Sequence, residues 1–349
     1  MSCPISLYPK DHILLAHGSG GKQMRQLLDN LILKTLYDDD ETIHHDGALL
    51  NIDGKQLVMT TDSYVVNPIF FSGGDIGSLS VNGTINDLAM CGAKPLYISV
   101  ALILEEGLLI SVLERVLKSI RDTAKRIGVK IVTGDTKVVE RGKCDQVYIN
   151  TTGIGQVYTD ENIRPGNITA GDLIILNGDI GRHGMAVMGC RNGITFSRPI
   201  VSDCMELWSS VKYLIDHKIQ IKCLRDITRG GLSAILKELA LASNQQFSIV
   251  EDKIIVNDVV SGACEVFGID PLHVACEGRF VLFVPRTQAE LALSILAEES
   301  DRISTELISK PTIIGEVQEG RSGMVILNTL IGGRRILEPL SGEMLPRIC

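Results

Sequence analysis

The stretch YTDENIRPGNITAGD, residues 158–172, constrains the architecture more than any other. It is dense in Pro, Gly, Asn, Asp and Thr, which favour turns over regular structure. It separates two blocks in which strand and helix patterns alternate. In the first, QLVMTT (56–61), KIVTG (130–134) and VYINTTGIG (147–155) are β-branched runs that read as strands. Between them, Leu109, Val112, Leu113, Val116, Ile120, Ala124 and Ile127 recur at helical spacing, and Gly128 is placed to end that helix. The second block opens on the strand LIILNG (173–178), continues through helices around 184–192 and 231–243, and includes the strand RFVLFV (279–284).

A single core seldom grows beyond about 250–300 residues, and this chain has 349. The pattern therefore predicts a glycine-rich arm and helix over 1–42, a first domain over 43–157, a second over 158–335, and a tail over 336–349. The class is α+β, two blocks of similar size.

A net charge of −8 argues against nucleic acid and anionic membranes as partners. It leaves nucleotides open, because phosphates are gripped locally by backbone N–H groups, metals and a few cations. The opening MSCPISLYPKDH lacks the apolar run of an export signal. The most apolar region, Leu96 to Leu117, is broken by Glu105 and Glu106, so no membrane span is expected. Nine cysteines without a C-x-x-C pair predict reduced thiols, a cytoplasmic location and no structural zinc.

Three stretches carry acids where elements end. MTTDS places Asp62 after a strand, VTGDTK places Thr133, Gly134 and Asp135 ahead of Lys137, and VNGTINDLAM places Asn82, Asn86 and Asp87 on one helix. Converging carboxylates of this kind can hold Mg²⁺ against substrate phosphates. Each Asp alone reads better as turn or cap chemistry, and only the three stretches together bring the metal site level with that reading. Glycine turns supply a complementary half. RDITRGGL sets Asp226, Thr228 and Arg229 before Gly230 and Gly231 at a helix start, and HGSGGKQ carries Gly20 and Gly21. Such helix starts suit phosphates, although HGSGGKQ is not a Walker A loop. His17 and His183 read as structural donors with a possible ligand contact, and Glu277 in ACEGRF reads by itself as a turn residue. The tail offers Cys349 as its last residue; thirteen residue steps from Ile336 could reach about 45 Å when extended.

Taken together, LAHGSGGKQMRQLL, VMTTDSYVVNPIFFSGGDIGSLSVNGTINDLAMCGAKPLYIS, VTGDTKVVERG, YINTTGIG, LRDITRGGL and the final PRIC closely resemble the HypE family of hydrogenase maturation factors. That family lies within the PurM-like superfamily of aminoimidazole ribonucleotide synthetase and selenophosphate synthetase. The resemblance implies a PurM-like two-domain fold, with an N-terminal α/β domain whose sheet pairs in a homodimer, a C-terminal α+β domain and a flexible tail. It implies that Cys349 accepts a carbamoyl group from the carbamoyltransferase HypF. The carbamoyl group is then dehydrated with ATP and Mg²⁺ to a thiocyanate, the source of the NiFe-hydrogenase cyanide ligands, and passed to a HypC–HypD complex.

By the same resemblance, Asp62, Asp87, Asp135 and Asp226 are the metal-side acids. Asn86, Thr133, Gly134, Arg229, Gly230, Gly231, Gly20 and Gly21 join them around the nucleotide. Glu277 is expected to take the amide proton, and Lys137 to orient the group or neutralise its oxyanion. Two departures stand beside Glu277: Cys276 and Arg279 occupy positions where the pattern leads one to expect Asn and Lys. A selenophosphate synthetase would carry its reactive Cys in the stretch HGSGGK, which here has none. A pure scaffold presenting Cys349 would need neither the acids nor the glycine turns.

Overall fold

The computed structural model describes residues 13–36, 45–303, 309–340, 345 and 347–349; only the backbone is described at 34, 302 and 303. The first described segment holds two short helices, α1 (Lys22–Leu27) and α2 (Leu33–Leu36), joined by a π-helical turn. The first sheet runs in the order β1-β2-β7-β5-β6. Its members are β1 (Ala48–Ile52), β2 (Lys55–Tyr64), β5 (Ala93–Glu105), β6 (Lys130–Val139) and β7 (Val147–Val157). The short pair β3 (Phe70–Phe71) and β4 (Gly74–Asp75) leads into α3 (Ile76–Met90), and α4 (Ile110–Ile127) joins β5 to β6.

The strand runs at 56–61, 130–134 and 147–155 thus lie inside β2, β6 and β7. Gly128 ends α4 at φ 83°, its N–H returning to the Ala124 carbonyl, as the sequence suggests. On α4, Val116, Ile120, Thr123 and Ala124 are buried and much of the rest is wet. α3 differs: all of it except Ser78 and Asp87 is buried. It starts on a capping box, with Asp75 Oδ1 accepting from the N–H groups of Gly77 (2.8 Å) and Ser78 (3.0 Å). Such a cap is worth about 1 kcal/mol. One side of α3 packs on β2, β5 and β7, and the other meets the second half of the chain at β9 and α6.

The second sheet has the order β14-β13-β10-β12-β8-β11-β9. Its strands are β8 (Leu173–Leu176), β9 (Cys223–Asp226), β10 (Gln246–Val250), β11 (Phe280–Val284), β12 (Thr312–Gln318), β13 (Val325–Asn328) and β14 (Arg334–Ile336). Helices α5 (Arg182–Arg191), α6 (Trp208–Asp216), α7 (Gly231–Ala242), α8 (Asp258–Phe267) and α9 (Ala289–Ile303) surround it. β11 is buried along its whole length, which is why it reads as a continuous apolar run. The tail, read from sequence as a loose arm, ends seated. Ile348 is only 3 % exposed, inside the core cluster that also holds α3 and β11 residues. No helix among the described residues is long and apolar enough to cross a membrane.

Candidate functional site

The acids gather where α3 crosses the end of each sheet. Asp46 stands just before β1, Asp87 lies on the face of α3 that meets β2, and Asp226 closes β9. Each offers an oxygen, all within 4.8 Å of one another. The Thr60 hydroxyl lies 2.7 Å from Asp87 Oδ2 and 2.9 Å from the Asp46 carbonyl oxygen. Asp62 sits on the same inner face of β2, where Tyr64 donates to its Oδ2 at 3.2 Å. Asp46 is the member that sequence reading missed. The signal was there in part: β1 and β2 form a hairpin, Ala48 opposite Met59, so an acid before β1 lands beside acids near the end of β2.

Burial raises the proton affinity of Asp87, and the charges of Asp62, Asp226 and Asp46 raise it further. Burial and then Asp46 do the same to Asp226, against a lowering by Arg225. Arg225 Nε stands 2.8 Å from Asp46 Oδ1. The buried Oδ2 of Asp46 and Oε1 of Glu277 have no hydrogen-bond partner among the described residues. Hard, crowded, incompletely satisfied carboxylate oxygens suit Mg²⁺, which accepts one or two carboxylates and keeps waters. The residues therefore fit the ion that the sequence pointed to.

This electrostatics has a pH signature. The folded-state pKa values of Asp87, Asp226 and Glu277 are raised, so between the ordinary carboxylate range near 4 and those raised values the folded chain binds more protons than the unfolded one. Stability then rises as pH falls. His183 and His273 are shifted down by burial and oppose this only below the ordinary histidine pKa of about 6.5. The Tm of the metal-free protein is therefore expected to climb from pH 8 to pH 6.5. A calorimetric Tm that falls over that interval would contradict the acidic-cluster electrostatics.

Glu277 enters from the strand-entry turn before β11, beside this cluster. Its N–H donates to Asp203 Oδ1 (3.2 Å), and its carbonyl accepts from Met205 N–H (3.3 Å). A side chain at Gly278 would meet the Asp203 carbonyl oxygen at 2.0 Å, so the close approach requires glycine. Arg279, one of the two departures, is buried, with Asp179 at 2.7 Å and Asp203 at 3.8 Å; it holds the platform under Glu277. Cys276, the other, is a buried thiol accepting from Gly181 N–H. Burial raises Glu277, the charges of Asp226, Asp203 and Asp62 add to it, and Arg229 counteracts.

Cys349 reaches the same place. Its thiol is pushed up to about 12 by burial, with Arg229 pulling it down and Glu277, Asp62 and Asp226 pushing further. In turn, Cys349 is the largest influence on Arg229. Arg229 precedes Gly230 (φ 80°) and Gly231 (φ 66°) at the start of α7. A Cβ on Gly20 would strike the Arg229 backbone at 2.6 Å, so the glycine arm lies directly on this turn. Between them opens a cleft of about 210 Å³ lined in part by Gly20, Gly21, Arg25, Arg225, Thr228 and Arg229. Its arginines and the glycine turn that starts α7 make it a phosphate-compatible cleft.

Asn86 stands beside Glu277 with its amide spent on main chain, donating to Met205 O (3.0 Å) and the Glu277 carbonyl (3.4 Å) and accepting from Leu207 N–H (2.8 Å). Other expected site residues stand elsewhere. Asp135 and Lys137 are exposed on the edge strand β6 and pair with each other at 2.5 Å, which lowers the Asp135 pKa. The register runs Asp62–Thr151, Thr151–Val100, Val100–Gly134. Three strand spacings separate β2 from β6, about 14 Å. Asp62 shares a face with the buried Thr60 and Tyr64. Asp135 and Lys137 instead share the opposite face with their partners Ala101 and Ile103. Within one chain the expected convergence of Asp135 with Asp62 and Asp87 therefore does not occur. Thr133 shares that outer face, and Gly134 permits close approach to the Val100 carbonyl oxygen, which a Cβ would meet at 2.1 Å. His17 makes a local bond, its Nδ1 accepting from Leu14 N–H. His183 does more, binding the Ile348 carbonyl oxygen at 2.9 Å.

Residues 44–157 match the AIR synthase related protein N-terminal domain, and residues 169–328 its C-terminal domain. Carbamoyl dehydratase HypE of Azotobacter vinelandii is 42 % identical over 336 residues, covering 96 % of each chain. A crystal structure of a HypE–HypF complex superimposes with a TM-score of 0.82 at 42 % identity, over 90 % of this chain and 99 % of that one. A HypE structure in complex with ATP gives 0.79 at 40 % identity, over 97 % and 100 %.

Proposed function

Because this chain belongs to the HypE family of hydrogenase maturation proteins, within the AIR synthase-related proteins, we propose that it is an ATP-dependent carbamoyl dehydratase of hydrogenase maturation. In this reading S-carbamoyl-Cys349 and ATP become S-cyano-Cys349, ADP and phosphate. The observation that carries it is that the chain end is bonded at residues 65–67 and His183, within electrostatic reach of Arg229, Glu277, Asp62 and Asp226.

A carbamoyl oxygen is a poor leaving group, so it must first be phosphorylated. Arg229, Gly230 and Gly231 at the start of α7, with Gly20 and Gly21 above them, hold the phosphates in place. Mg²⁺ on Asp46, Asp87 and Asp226, with Asp62 beside them, would offset the charge of the transferred phosphoryl group. Glu277 takes a proton from the amide nitrogen. Its buried setting makes the ionised form a strong base, and Arg229 favours that form. Phosphate then departs as the C–O bond breaks, taking the second N–H proton with it and leaving S–C≡N. Asp87→Asn is expected to lower Mg²⁺-dependent ATP turnover at least about a hundredfold, by analogy with outer-shell losses of 10–100-fold. Turnover within a few-fold of wild type would remove the acidic cluster from the mechanism.

HypF is the proposed carbamoyl donor and a HypC–HypD complex the acceptor of the cyano group. The proposed homodimer covers the outer face of the first sheet, where Met59, Tyr97, Ile103 and Ile154 are exposed, and the edge strand β6. Unpaired apolar edges of this length are covered in stable proteins. Asp135 and Lys137 stand on that face, so any role in the reaction is exerted across the dimer. Ile103→Glu is expected to give a monomer by light scattering; a wild-type chain that is itself monomeric would sink the dimer.

A further inference from the structure

The seated tail is held by more than its apolar residue. Residues 347–349 pair with 65–67 like an added strand: Val65 N–H donates to the Cys349 main-chain oxygen (3.1 Å) and Asn67 N–H to the Arg347 carbonyl (3.2 Å). Arg347 Nε–H returns to the Val65 carbonyl at 3.0 Å. His183, shifted toward its neutral form by burial, completes the set: Nε2–H donates to the Ile348 carbonyl and Nδ1 accepts from the Ser202 hydroxyl at 2.8 Å. Every main-chain carbonyl from 347 to 349 is thus bonded.

Two side chains tie this pairing together. Arg191, at the end of α5, donates from Nε to the Asn67 carbonyl and from a terminal nitrogen to the Arg347 carbonyl, each at 2.7 Å. It therefore bridges the receiving segment and the tail with one planar fork. Asp145 grips from the other side, its Oδ2 2.5 Å from the Arg347 guanidinium and 2.9 Å from Asn67 Nδ2. Arg347 itself has φ 53°, a left-handed conformation that a residue with a Cβ seldom adopts unaided. The bonds therefore impose the shape of the tail, and without them the backbone would favour another.

We propose that Arg191 and Asp145 are positioning residues that set the register of the tail, holding Cys349 at Glu277 and Arg229 for dehydration and releasing it for loading. The inference rests on Cys349 being the carrier, as argued above. It has a consequence that a merely structural role lacks. Loading by a second protein requires the half-buried thiol to leave its seat, whereas dehydration requires it to stay. Loosening the grip must therefore push the two half-reactions in opposite directions.

The test compares wild type with Arg191→Ala, Arg191→Lys and Asp145→Asn, all checked for wild-type melting. Alkylation of Cys349 by iodoacetamide, followed on the C-terminal peptide by mass spectrometry, is expected to be at least tenfold faster in Arg191→Ala and Asp145→Asn. Arg191→Lys is expected to recover part of the protection, since an ammonium cannot span both carbonyls as the fork does. Carbamoyl loading by the carbamoyltransferase should speed up in the same variants, while the ATP-dependent loss of water slows. Unchanged alkylation, or an equal fall in both half-reactions, overturns the proposal. If the wild-type chain never loses water, the reading of the reaction fails, yet the alkylation rates still decide the latch.

Discussion

Cys349→Ser is expected to abolish both mass changes that define the proposed reaction. Incubated with HypF and its substrates, the wild-type chain should gain one carbamoyl group; on adding ATP it should lose one water. Adding a HypC–HypD complex should then remove the cyano group. The serine variant should show none of these. A serine hydroxyl ionises far less readily than a thiol, whose ordinary pKa is near 8.5. The fold should survive, because the tail is seated through main-chain carbonyls, Arg347 and Ile348 rather than through the sulfur. Burial pushes the seated thiol up to about 12, so a seated, unloaded Cys349 is a protonated, weak nucleophile. Loading is therefore expected only from the released tail. A carbamoyl group found on another cysteine, or water loss persisting in the serine variant, would end the carrier role of Cys349.

Glu277→Gln is expected to separate loading from dehydration. The carbamoylated form should accumulate, and its conversion should slow by about 10²–10⁴, the usual contribution of a positioned base. That corresponds to roughly 3–5 kcal/mol of transition-state stabilisation at 1.36 kcal/mol per tenfold. Gln keeps the shape and leaves the main-chain clamp to Asp203 and Met205 in place. It also removes an acid whose ionised form is disfavoured by burial and by three neighbouring carboxylates. Melting no lower than wild type is therefore expected alongside the lost step. Dehydration at the wild-type rate would remove Glu277 as the base and turn attention to Lys137.

Much of this site was legible in the chain, and the rest was not for specific reasons. Asp62, Asp87 and Asp226 announce themselves because each closes or interrupts a strongly patterned element next to small residues. Asp46 precedes a five-residue strand and looks like any turn acid; only hairpin pairing brings it to the others. Asp135 and Lys137 sit in a motif as suggestive as the rest, yet which side of a sheet they face depends on register. That register passes through irregularities between Ile98 and Ser99 and between Pro95 and Tyr97 on β5. One residue of slip reverses every side chain, so local pattern cannot decide it. Asn86 shares its helix with Asp87, but its amide is taken up by the 205–207 main chain more than a hundred residues away.

The sequence by itself determined the two alternating blocks, the helix that Gly128 ends, the turn glycines, the acid-rich chemistry and the thiol that the tail carries. These follow from short-range periodicity and from conformations few residues can adopt. Tertiary structure alone decided which acids share a face, that Arg279 supports Glu277, and that His183, Arg191 and Asp145 receive a tail 156 to 202 residues further along the chain. Those relations are set by the packing of α3 between two sheets and by long-range hydrogen bonds, whose partners leave no trace in local spacing.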